Sequence, residues 1–367
     1  MEKPDYSRNA PAIANAVLDY FDIKTDYEFD VSIKQRDRLS LVLIDGLGWN
    51  VYSNLDGYRI SKATKVNTVF PSTTATALTS LTTGMEPGNH GVIGYRAFVK
   101  RAGAIIKPLE YTYASALHTS NLLYKMGELK QMFRVKTIFD RMSARKLRSI
   151  VINPVYTKDS AFSSFIFSGA TEIAGYEEIW DGLKLYRDAM KDKKFDFVYF
   201  YVPYIDTLEH IYGPEHGVVL DAAEYILNGV TEATGGGDIS TIITADHGHK
   251  MLSDIVDLST DIELLKRLEL PPYGDSRSLL FRARQDISRY LERYNMKTLN
   301  QTNMEEYIGK INPKIKDIMP DYIGVPMDDK GYTFRYKLDI REKISEEPSS
   351  NHGGLSSDEM QIPLMVI

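Results

Sequence analysis

Short apolar runs alternate with longer amphipathic segments along most of the chain. Four of the runs are rich in β-branched or aromatic residues and are predicted to contain buried strands, at 38–48, 148–154, 195–203 and 238–250, the last of which is a strand followed by a loop. The segments between them repeat apolar residues at helical spacing, as in YEEIWDGLKLYRDAMKDKK. Strands that alternate with helices of this length form parallel sheets through right-handed crossovers. The pattern therefore predicts an α/β fold, a doubly wound, mostly parallel sheet with helices on both faces.

The alternation stops near residue 251. Residues 251–341 are a charged, Tyr-rich mixture in which SLLFRAR is a strand candidate and DISRYLERY a helix candidate. The chain then ends in a Gly-rich loop and a last apolar strand candidate. We predict a core domain made of residues 1–250 and 342–367, into which residues 251–341 are inserted as a smaller α+β cap subdomain.

Composition excludes several classes of protein. The chain has 367 residues, of which 43% are hydrophobic and 26% charged, as is typical of a globular protein. A formal net charge of −6 without a basic run argues against a nucleic-acid scaffold as a partner. The first residues lack a basic flank with an apolar segment, and no stretch has the length of a membrane span, so we expect a cytoplasmic protein without membrane contact. Because Cys is absent, any metal must be bound by His, Asp and Glu.

Carboxylate and imidazole side chains follow the predicted strands, at the edge where open α/β sheets carry their chemistry. Each has an ordinary alternative explanation: a turn at Asp45, a helical ion pair between Asp206 and His210, a hydrogen-bonded loop at 246–249, and a solvated turn at His352. Their occurrence at four strand ends of one sheet is harder to explain in this way. The candidate ligands are Asp45, Asp206, His210, Asp246, His247 and His352.

This set of ligands predicts a metal centre. Three carboxylates and three imidazoles without sulfur suit zinc or manganese. Their number suffices for two divalent ions about 4 Å apart, the arrangement that clamps the attacking and leaving oxygens of a phosphoryl transfer.

The segment NTVFPSTTATALTSLTTGMEPGNHG, residues 67–91, adds a candidate nucleophile. Pro71 precedes it and Gly84 follows it, so a helix is predicted between them although Thr is a mediocre helix former. A hydroxyl in the first turn of that helix, beside a metal, is placed to attack phosphorus, and the helix amides favour the anionic group. The other hydroxyls are expected to bond backbone carbonyls or polar neighbours.

At these motifs the chain resembles the alkaline phosphatase superfamily and, within it, the nucleotide pyrophosphatase/phosphodiesterase (type I phosphodiesterase) family. In that superfamily the nucleophile stands ten positions before the Gly that closes its helix. Here Thr83-Gly84 is the closing pair, so the resemblance implies Thr74 as the nucleophile. The pattern G-x-x-P-x-x-H-G, from Gly84 to Gly91, agrees. The similarity covers residues 38–250 and 345–367.

The resemblance also implies how the ligands are shared between two metals. The metal that activates the nucleophile would be held by Asp45, Thr74, Asp246 and His247. Asp206, His210 and His352 would hold the other. The implied fold is alkaline phosphatase-like, and the implied cofactors are two divalent metal ions, zinc or manganese.

The proline near the nucleophile departs from the family pattern. Relatives of the diesterase type carry a proline two positions after the nucleophilic Thr, whereas here Pro71 lies three positions before Thr74. Thr73 is therefore a rival for the nucleophile.

Two further departures concern residues around the metals and the phosphate. Glu209 stands where relatives commonly have Gly, directly before the His of the D-x-x-G-H motif. Tyr95 stands where relatives place an Asn that contacts the phosphoryl oxygen. Arg96 is an alternative donor to that oxygen, so Tyr95 and Arg96 are the candidate substrate-binding residues.

These features predict a metal-dependent hydrolase, a phosphodiesterase or nucleotide pyrophosphatase that acts on a small-molecule phosphodiester or nucleotide through a phosphothreonine intermediate. A phosphomonoesterase or phosphonate hydrolase with the same metals is the first alternative. A non-haem iron enzyme built on Asp206, His210 and His352 is another, although it leaves the hydroxyl-rich helix unexplained. A non-catalytic, metal-stabilised binding protein is the last. Substrate choice is expected to depend on residues 97–135 and 251–341, over the metals.

Overall fold

The computed structural model describes residues 1–55, 63–116, 121–124, 127, 129, 133, 135–234, 238–336 and 349–367. Its strands are β1 (Arg38–Ile44), β2 (Ala63–Asn67), β3 (Ala97–Val99), β4 (Ala104–Lys107), β5 (Thr112–Tyr113), β6 (Ser149–Pro154), β7 (Glu172–Tyr176), β8 (Phe197–Val202), β9 (Ile239–Thr244), β10 (Lys250–Met251), β11 (Asp254–Asp257), β12 (Tyr273–Asp275), β13 (Ser278–Phe281), β14 (Met296–Asn300), β15 (Tyr322–Pro326), β16 (Lys330–Thr333), β17 (Ser350–Asn351) and β18 (Gln361–Val366).

The helices are α1 (Ala10–Tyr20), α2 (Trp49–Ser53), α3 (Thr74–Thr83), α4 (Pro87–His90), α5 (Ile138–Ala144), α6 (Val155–Lys158), α7 (Ala161–Ile166), α8 (Ile179–Lys191), α9 (Tyr204–Tyr212), α10 (Gly217–Ala233), α11 (Ile262–Leu265), α12 (Ser288–Leu291), α13 (Glu305–Ile308) and α14 (Ser357–Met360). Short 3-10 turns lie at Lys100–Ala102, Leu258–Thr260, Glu292–Tyr294 and Pro313–Ile318.

A large sheet forms the centre of the fold, with strand order β2-β18-β9-β1-β8-β6-β7. The strands β9, β1, β8, β6 and β7 pair in parallel. β18 runs antiparallel to both of its neighbours, β9 and β2. The predicted α/β class with a mostly parallel sheet is confirmed.

The middle of this sheet is apolar because it is covered on both faces. Every residue of β1, β6, β8 and β9 is buried, as expected for parallel strands between helical layers. The side chains of the sheet pack with those of the surrounding helices in one continuous core. This core fixes the ends of the strands, and with them the residues that follow each strand.

A second sheet, antiparallel with the order β12-β13-β15-β14, is built from residues 273–326. Some of its apolar residues form a cluster with Phe70, which precedes the hydroxyl-rich helix, and Leu355, which follows His352. Others, among them Leu279 and Phe281, form a separate cluster. The proposed boundary at residue 341 lies outside the described residues, as does part of the predicted specificity segment 97–135. The division into core and cap stays a prediction.

A buried ion pair connects the second sheet to the chain segment near His352. Arg277 contacts Glu359 through its Nε at 3.3 Å, and both side chains are almost completely buried. The Arg277 guanidinium also donates to two backbone carbonyls, and Glu359 accepts from the Gly354 N–H at 2.8 Å. Because both charges are paired and hydrogen-bonded, they can be buried at this junction.

The Thr-rich helix α3 is stabilised by its own hydroxyls. Thr79, Thr82 and Thr83 each donate to the carbonyl four residues earlier, at 2.6 to 2.8 Å. The helix interior is almost fully buried, so these bonds satisfy hydroxyls that have no access to water. Gly84 ends the helix in the left-handed conformation, at φ 70°.

Candidate functional site

Three adjacent parallel strands bring the predicted carboxylates to one edge of the sheet. β1 lies between β8 and β9, so their carboxyl ends meet. Asp45 directly follows β1, and Asp246 lies two residues after β9. Asp206 lies in the first turn of α9, which begins after β8, and its N–H donates to the carbonyl of Asp45 at 3.0 Å. His352 joins them because β17 pairs with β10, which follows β9.

Asp45, Asp246 and His247 form the first group of candidate ligands. The Nε2 of His247 lies 3.5 Å from Asp45 Oδ1 and 3.3 Å from Asp246 Oδ2. The other oxygens of these carboxylates are engaged, Asp45 Oδ2 by the Tyr201 hydroxyl and Asp246 Oδ1 by the Gly46 N–H. The two oxygens that face His247 are buried and have no hydrogen-bond partner among the described residues. Two buried oxygens and a ring nitrogen therefore converge on one point.

Thr74 is the first residue of α3 and lies beside this group. Its Oγ1 is 3.1 Å from His247 Nε2. The rival, Thr73, is the N-cap residue, and its hydroxyl donates instead to Asp275 at 3.3 Å. The two neighbouring hydroxyls thus point to different partners, and that of Thr74 adjoins the candidate metal ligands.

The second group surrounds one oxygen of Asp206. The Nε2 atoms of His249, His210 and His352 lie 2.8, 3.4 and 3.6 Å from Asp206 Oδ1. Asp206, His247, His249 and His352 form one cluster whose ligand atoms all lie within 4.8 Å of one another. His247 stacks on His352 with ring centroids 3.7 Å apart, which joins the two groups.

Sequence reasoning missed His249 as a candidate ligand. The motif DHGH contains a signal, a second imidazole two residues after His247, but a hydrogen-bonded loop at 246–249 is its ordinary explanation. Glu209 was noted only as a departure. Its side chain is fully buried, and its Oε2 lies 3.6 Å from His249 Nε2.

Acidic and imidazole groups are crowded together in the site. Burial raises the pKa of Asp45 and of Glu209 well above the usual range, and nearby Asp206 and Asp246 add to this effect. Burial also lowers the pKa of His249 to about 3, so its ring is neutral. Imidazoles and crowded carboxylates of this kind are a donor set that divalent metals bind. The residues present therefore fit a metal-binding site.

A buried carboxylate from the second sheet, Asp275, was not predicted from the sequence. It accepts hydrogen bonds from the Thr73 hydroxyl at 3.3 Å and from the Tyr95 N–H at 3.0 Å. Its pKa is raised to about 6, chiefly by burial. No local motif marks this residue, because it reaches Thr73 only through the tertiary fold.

Asp275 should make the stability of the metal-free protein depend on pH. Because its pKa is higher in the folded than in the unfolded chain, the folded state retains a proton that the unfolded state has released. The free energy of unfolding should therefore decrease as the pH rises from about 4 through about 6, by about 2 to 3 kcal/mol from this group. Asp275→Asn removes the titrating group but keeps an oxygen that accepts from Tyr95.

Thermal unfolding after chelator treatment tests this expectation. The stability of Asp275→Asn relative to the unmodified protein should increase between about pH 4.5 and about pH 7. A relative stability that is constant or falls over this range would show that Asp275 ionises normally. Comparison of the two proteins cancels the titration of groups that they share.

Tyr95 and Arg96 lie next to Asp275 and not among the metal ligands. The Tyr95 hydroxyl donates to Glu110 Oε1 at 2.5 Å, so it is already engaged. The Arg96 guanidinium lies 5.1 Å from the centre of the Tyr95 ring and 5.7 Å from that of Tyr336. Its buried Nε has no hydrogen-bond partner among the described residues. Of the two, Arg96 is the side chain with a free donor.

The chain is similar to known proteins in sequence and in fold. The family model for type I phosphodiesterase / nucleotide pyrophosphatase matches residues 39–322. The chain is similar in fold to murine ectonucleotide pyrophosphatase/phosphodiesterase 5, solved as an inactive variant in complex with AMP. That match has a TM-score of 0.63 at 16% identity and covers 89% of this chain and 87% of the other. No curated protein gave a significant match.

A second kind of solved structure has the same fold. Phosphonoacetate hydrolase from Sinorhizobium meliloti 1021, in complex with phosphonoacetate, matches with a TM-score of 0.64 at 15% identity and 92% coverage of both chains.

Among the described residues, every helix falls short of what a membrane crossing needs in length or apolar character.

Proposed function

Because the chain belongs to the type I phosphodiesterase / nucleotide pyrophosphatase family, we propose that it is a two-metal phosphohydrolase that cleaves phosphodiester or pyrophosphate bonds in small molecules. The observation that carries the proposal is the position of Thr74. Thr74 is the first residue of a buried helix, and its hydroxyl lies 3.1 Å from His247 Nε2. Beside it are two buried carboxylate oxygens that have no hydrogen-bond partner among the described residues.

The ligand groups are assigned to two divalent ions, zinc or manganese. Asp45, Asp246, His247 and the Thr74 hydroxyl would hold the first. Asp206, His210 and His352 would hold the second. When bound, such ions lower the pKa of a hydroxyl and stabilise negative charge on the oxygens of a phosphoryl group.

Thr74 is the nucleophile in the proposed reaction. The Thr74 hydroxyl loses its proton and its Oγ bonds to phosphorus, while the bond between phosphorus and the leaving oxygen breaks and the leaving oxygen takes up a proton. This step yields a phosphothreonine ester and the released alcohol or phosphate. Water then attacks the same phosphorus, the bond between phosphorus and Oγ breaks, and a proton of that water restores the Thr74 hydroxyl. The N-terminus of α3 presents backbone N–H groups to the anionic phosphoryl group during both steps.

Asp275 supports a diester over a monoester as the substrate. A monoester dianion carries one more negative charge than a diester, and the buried carboxylate of Asp275 lies 3.3 Å from the hydroxyl of Thr73, the neighbour of the nucleophile. Arg96 is the cation assigned to the phosphate. One cation beside one carboxylate suits a monoanion better than a dianion.

We therefore expect the kcat/KM for bis-p-nitrophenyl phosphate to exceed that for p-nitrophenyl phosphate by at least about tenfold, a gap of about 1.4 kcal/mol in transition-state binding. Steady-state kinetics with zinc and with manganese measure this ratio, and a dinucleotide extends the panel to pyrophosphate bonds. A strong monoester preference that collapses in Arg96→Ala would instead assign the enzyme as a phosphomonoesterase.

The second sheet is proposed to shape the substrate site as part of an inserted cap, residues 251–341. The cap would contribute Asp275 and the aromatic side chains of Tyr273 and Tyr336, which line a narrow cleft with Arg96. In this proposal, residues at the strand ends bind the two metals, and residues of the cap determine which substrate is bound.

A further inference from the structure

Glu209 and His249 are two buried groups next to the second metal site that the proposed reaction does not use. Both side chains are fully buried. Neither carboxylate oxygen of Glu209 has a hydrogen-bond partner among the described residues. Leaving a carboxylate buried without a partner costs several kcal/mol, so a compensating group is expected beside it.

Glu209 is aimed at the site by the geometry of its helix. Asp206, Glu209 and His210 occupy positions i, i+3 and i+4 of α9 and therefore share one face. The carboxylate lies against the backbone of Gly46, where a Cβ atom would come within 2.7 Å of Glu209 Oε2. Gly46 directly follows Asp45, so the Glu209 carboxylate adjoins the segment that carries this ligand of the first group.

Hydrogen bonds hold the ring of His249 beside Asp206. The Ser350 hydroxyl, which donates to the carbonyl of Glu209 at 2.7 Å, lies 3.0 Å from His249 Nδ1. The Nε2 atom faces Asp206 Oδ1 at 2.8 Å and Glu209 Oε2 at 3.6 Å. A ring nitrogen and two carboxylate oxygens, the donor types that bind divalent cations, therefore adjoin one another there.

The other two imidazoles around Asp206 are oriented in the same way. His210 Nδ1 lies 3.1 Å from the carbonyl of Ser350, and His352 Nδ1 lies 3.1 Å from the carbonyl of Ser72. A carbonyl can only accept, so both rings carry a proton on Nδ1 and direct Nε2 at Asp206. A hydrogen bond that fixes the ring of a metal-binding histidine in this manner is the usual supporting interaction. The ring of His249 likewise has Nδ1 beside a hydroxyl and Nε2 beside Asp206.

The distances from Asp206 Oδ1 to the three imidazoles are close to those between ligands of one ion, and Asp206, His249 and His352 belong to the group whose ligand atoms lie within 4.8 Å of one another. For bonds of about 2.1 Å, adjacent ligand atoms lie about 3.0 to 3.4 Å apart in octahedral and tetrahedral geometry. The Nε2 atoms of the three histidines lie 2.8 to 3.6 Å from Asp206 Oδ1, and Glu209 Oε2 lies 3.6 Å from His249 Nε2.

We propose that His249 is a third imidazole ligand of the second metal and Glu209 a second carboxylate ligand, so that this site binds an ion of five- or six-fold coordination. The inference rests on the proposed two-metal function, because it takes Asp206, His210 and His352 as ligands of the same ion. Five nitrogen and oxygen ligands favour manganese or cobalt over a tetrahedral zinc ion. Because three neutral histidines bring no negative charge, the Glu209 carboxylate also offsets part of the positive charge of the metal.

Metal titration of the full chain tests the proposal without substrate. The protein is stripped with a chelator and titrated with Mn²⁺ by calorimetry and with Co²⁺ by visible absorption, for the unmodified chain and for His249→Ala and Glu209→Gln. His216→Ala is the matched control, because His216 is an exposed histidine that caps α10. The unmodified chain should bind two ions, with the weak cobalt absorption of five- or six-fold coordination at the second site.

We expect His249→Ala to weaken the second ion's binding by more than the roughly 10- to 100-fold that loss of an outer-shell partner costs. We expect Glu209→Gln to weaken it about 10-fold or more and to change the cobalt absorption of the second site, which loss of an outer-shell partner would leave unaltered. The control should bind both ions normally. Unchanged second-site affinity and cobalt spectrum in His249→Ala or in Glu209→Gln would overturn the proposal. Should His249→Ala fail to fold, as judged by circular dichroism of the metal-free chain, Glu209→Gln decides alone.

The same titration separates this inference from the proposed function. Two bound ions and normal turnover with unaltered variants would refute the roles of His249 and Glu209 and leave the two-metal phosphohydrolase intact. An unmodified chain that binds no second ion would refute both.

Discussion

Replacing Thr74 by alanine should reduce kcat by about 1,000-fold or more while both metals stay bound, because the change deletes the oxygen that forms the covalent intermediate. The Thr74 hydroxyl lies 3.1 Å from His247 Nε2, at the point where two unpartnered carboxylate oxygens converge. The measurement is single-turnover hydrolysis of a diester, with metal content determined on the same sample.

Thr73→Ala is the matched control for this experiment. It removes a hydroxyl from the adjacent residue, but that hydroxyl donates to Asp275 and does not face His247. Its loss should lower kcat far less than the loss of Thr74. The reverse order of effects would show that the nucleophile is Thr73 and that the assignment of Thr74 is off by one residue.

The second large effect is expected from removal of a metal ligand on either side of the site. Asp246→Asn and His352→Ala should each lose metal and most activity, because the ions supply the electrostatic stabilisation that is usually the largest catalytic contribution. Asp246→Asn keeps the oxygen that accepts from the N–H groups of Gly46 and His247 at 3.1 and 3.0 Å, so the loop should persist.

Elemental analysis, turnover and circular dichroism together check this expectation. We predict two zinc or manganese ions per unmodified chain, fewer in each variant, and an unchanged far-ultraviolet spectrum. Full turnover in either variant would place the active site elsewhere. A single iron ion per unmodified chain would favour the non-haem iron alternative built on Asp206, His210 and His352.

The central sheet was predictable because its inner strands are buried on both faces. β1, β6, β8 and β9 are continuous apolar runs, and each falls within a predicted strand. The edge strands β2 and β7 were not predicted, since their partly exposed, mixed sequences carry no such signal. The last strand was predicted to return to the core, but its antiparallel direction depends on a connection that the residue pattern does not specify.

The predicted metal ligands are brought together by the order and direction of the strands. Asp45, Asp206 and Asp246 follow three parallel strands that are neighbours in the sheet, so the chain direction alone brings them to one edge. The roles of His249 and Asp275 depend on contacts between distant parts of the chain. His249 meets Asp206, 43 positions away, and Asp275 meets Thr73, 202 positions away. The spacing of residues within one motif does not specify contacts between residues so far apart in the chain.

The stereochemical course at phosphorus tests most directly whether hydrolysis proceeds through an enzyme-bound ester. A diester made chiral at phosphorus by sulfur substitution is hydrolysed in ¹⁸O-labelled water, and the configuration of the product is determined. Two successive in-line displacements, first by Thr74 and then by water, each invert the centre, so we predict net retention. Net inversion would mean that water attacks the substrate directly, and it would contradict the assignment of Thr74 as the nucleophile.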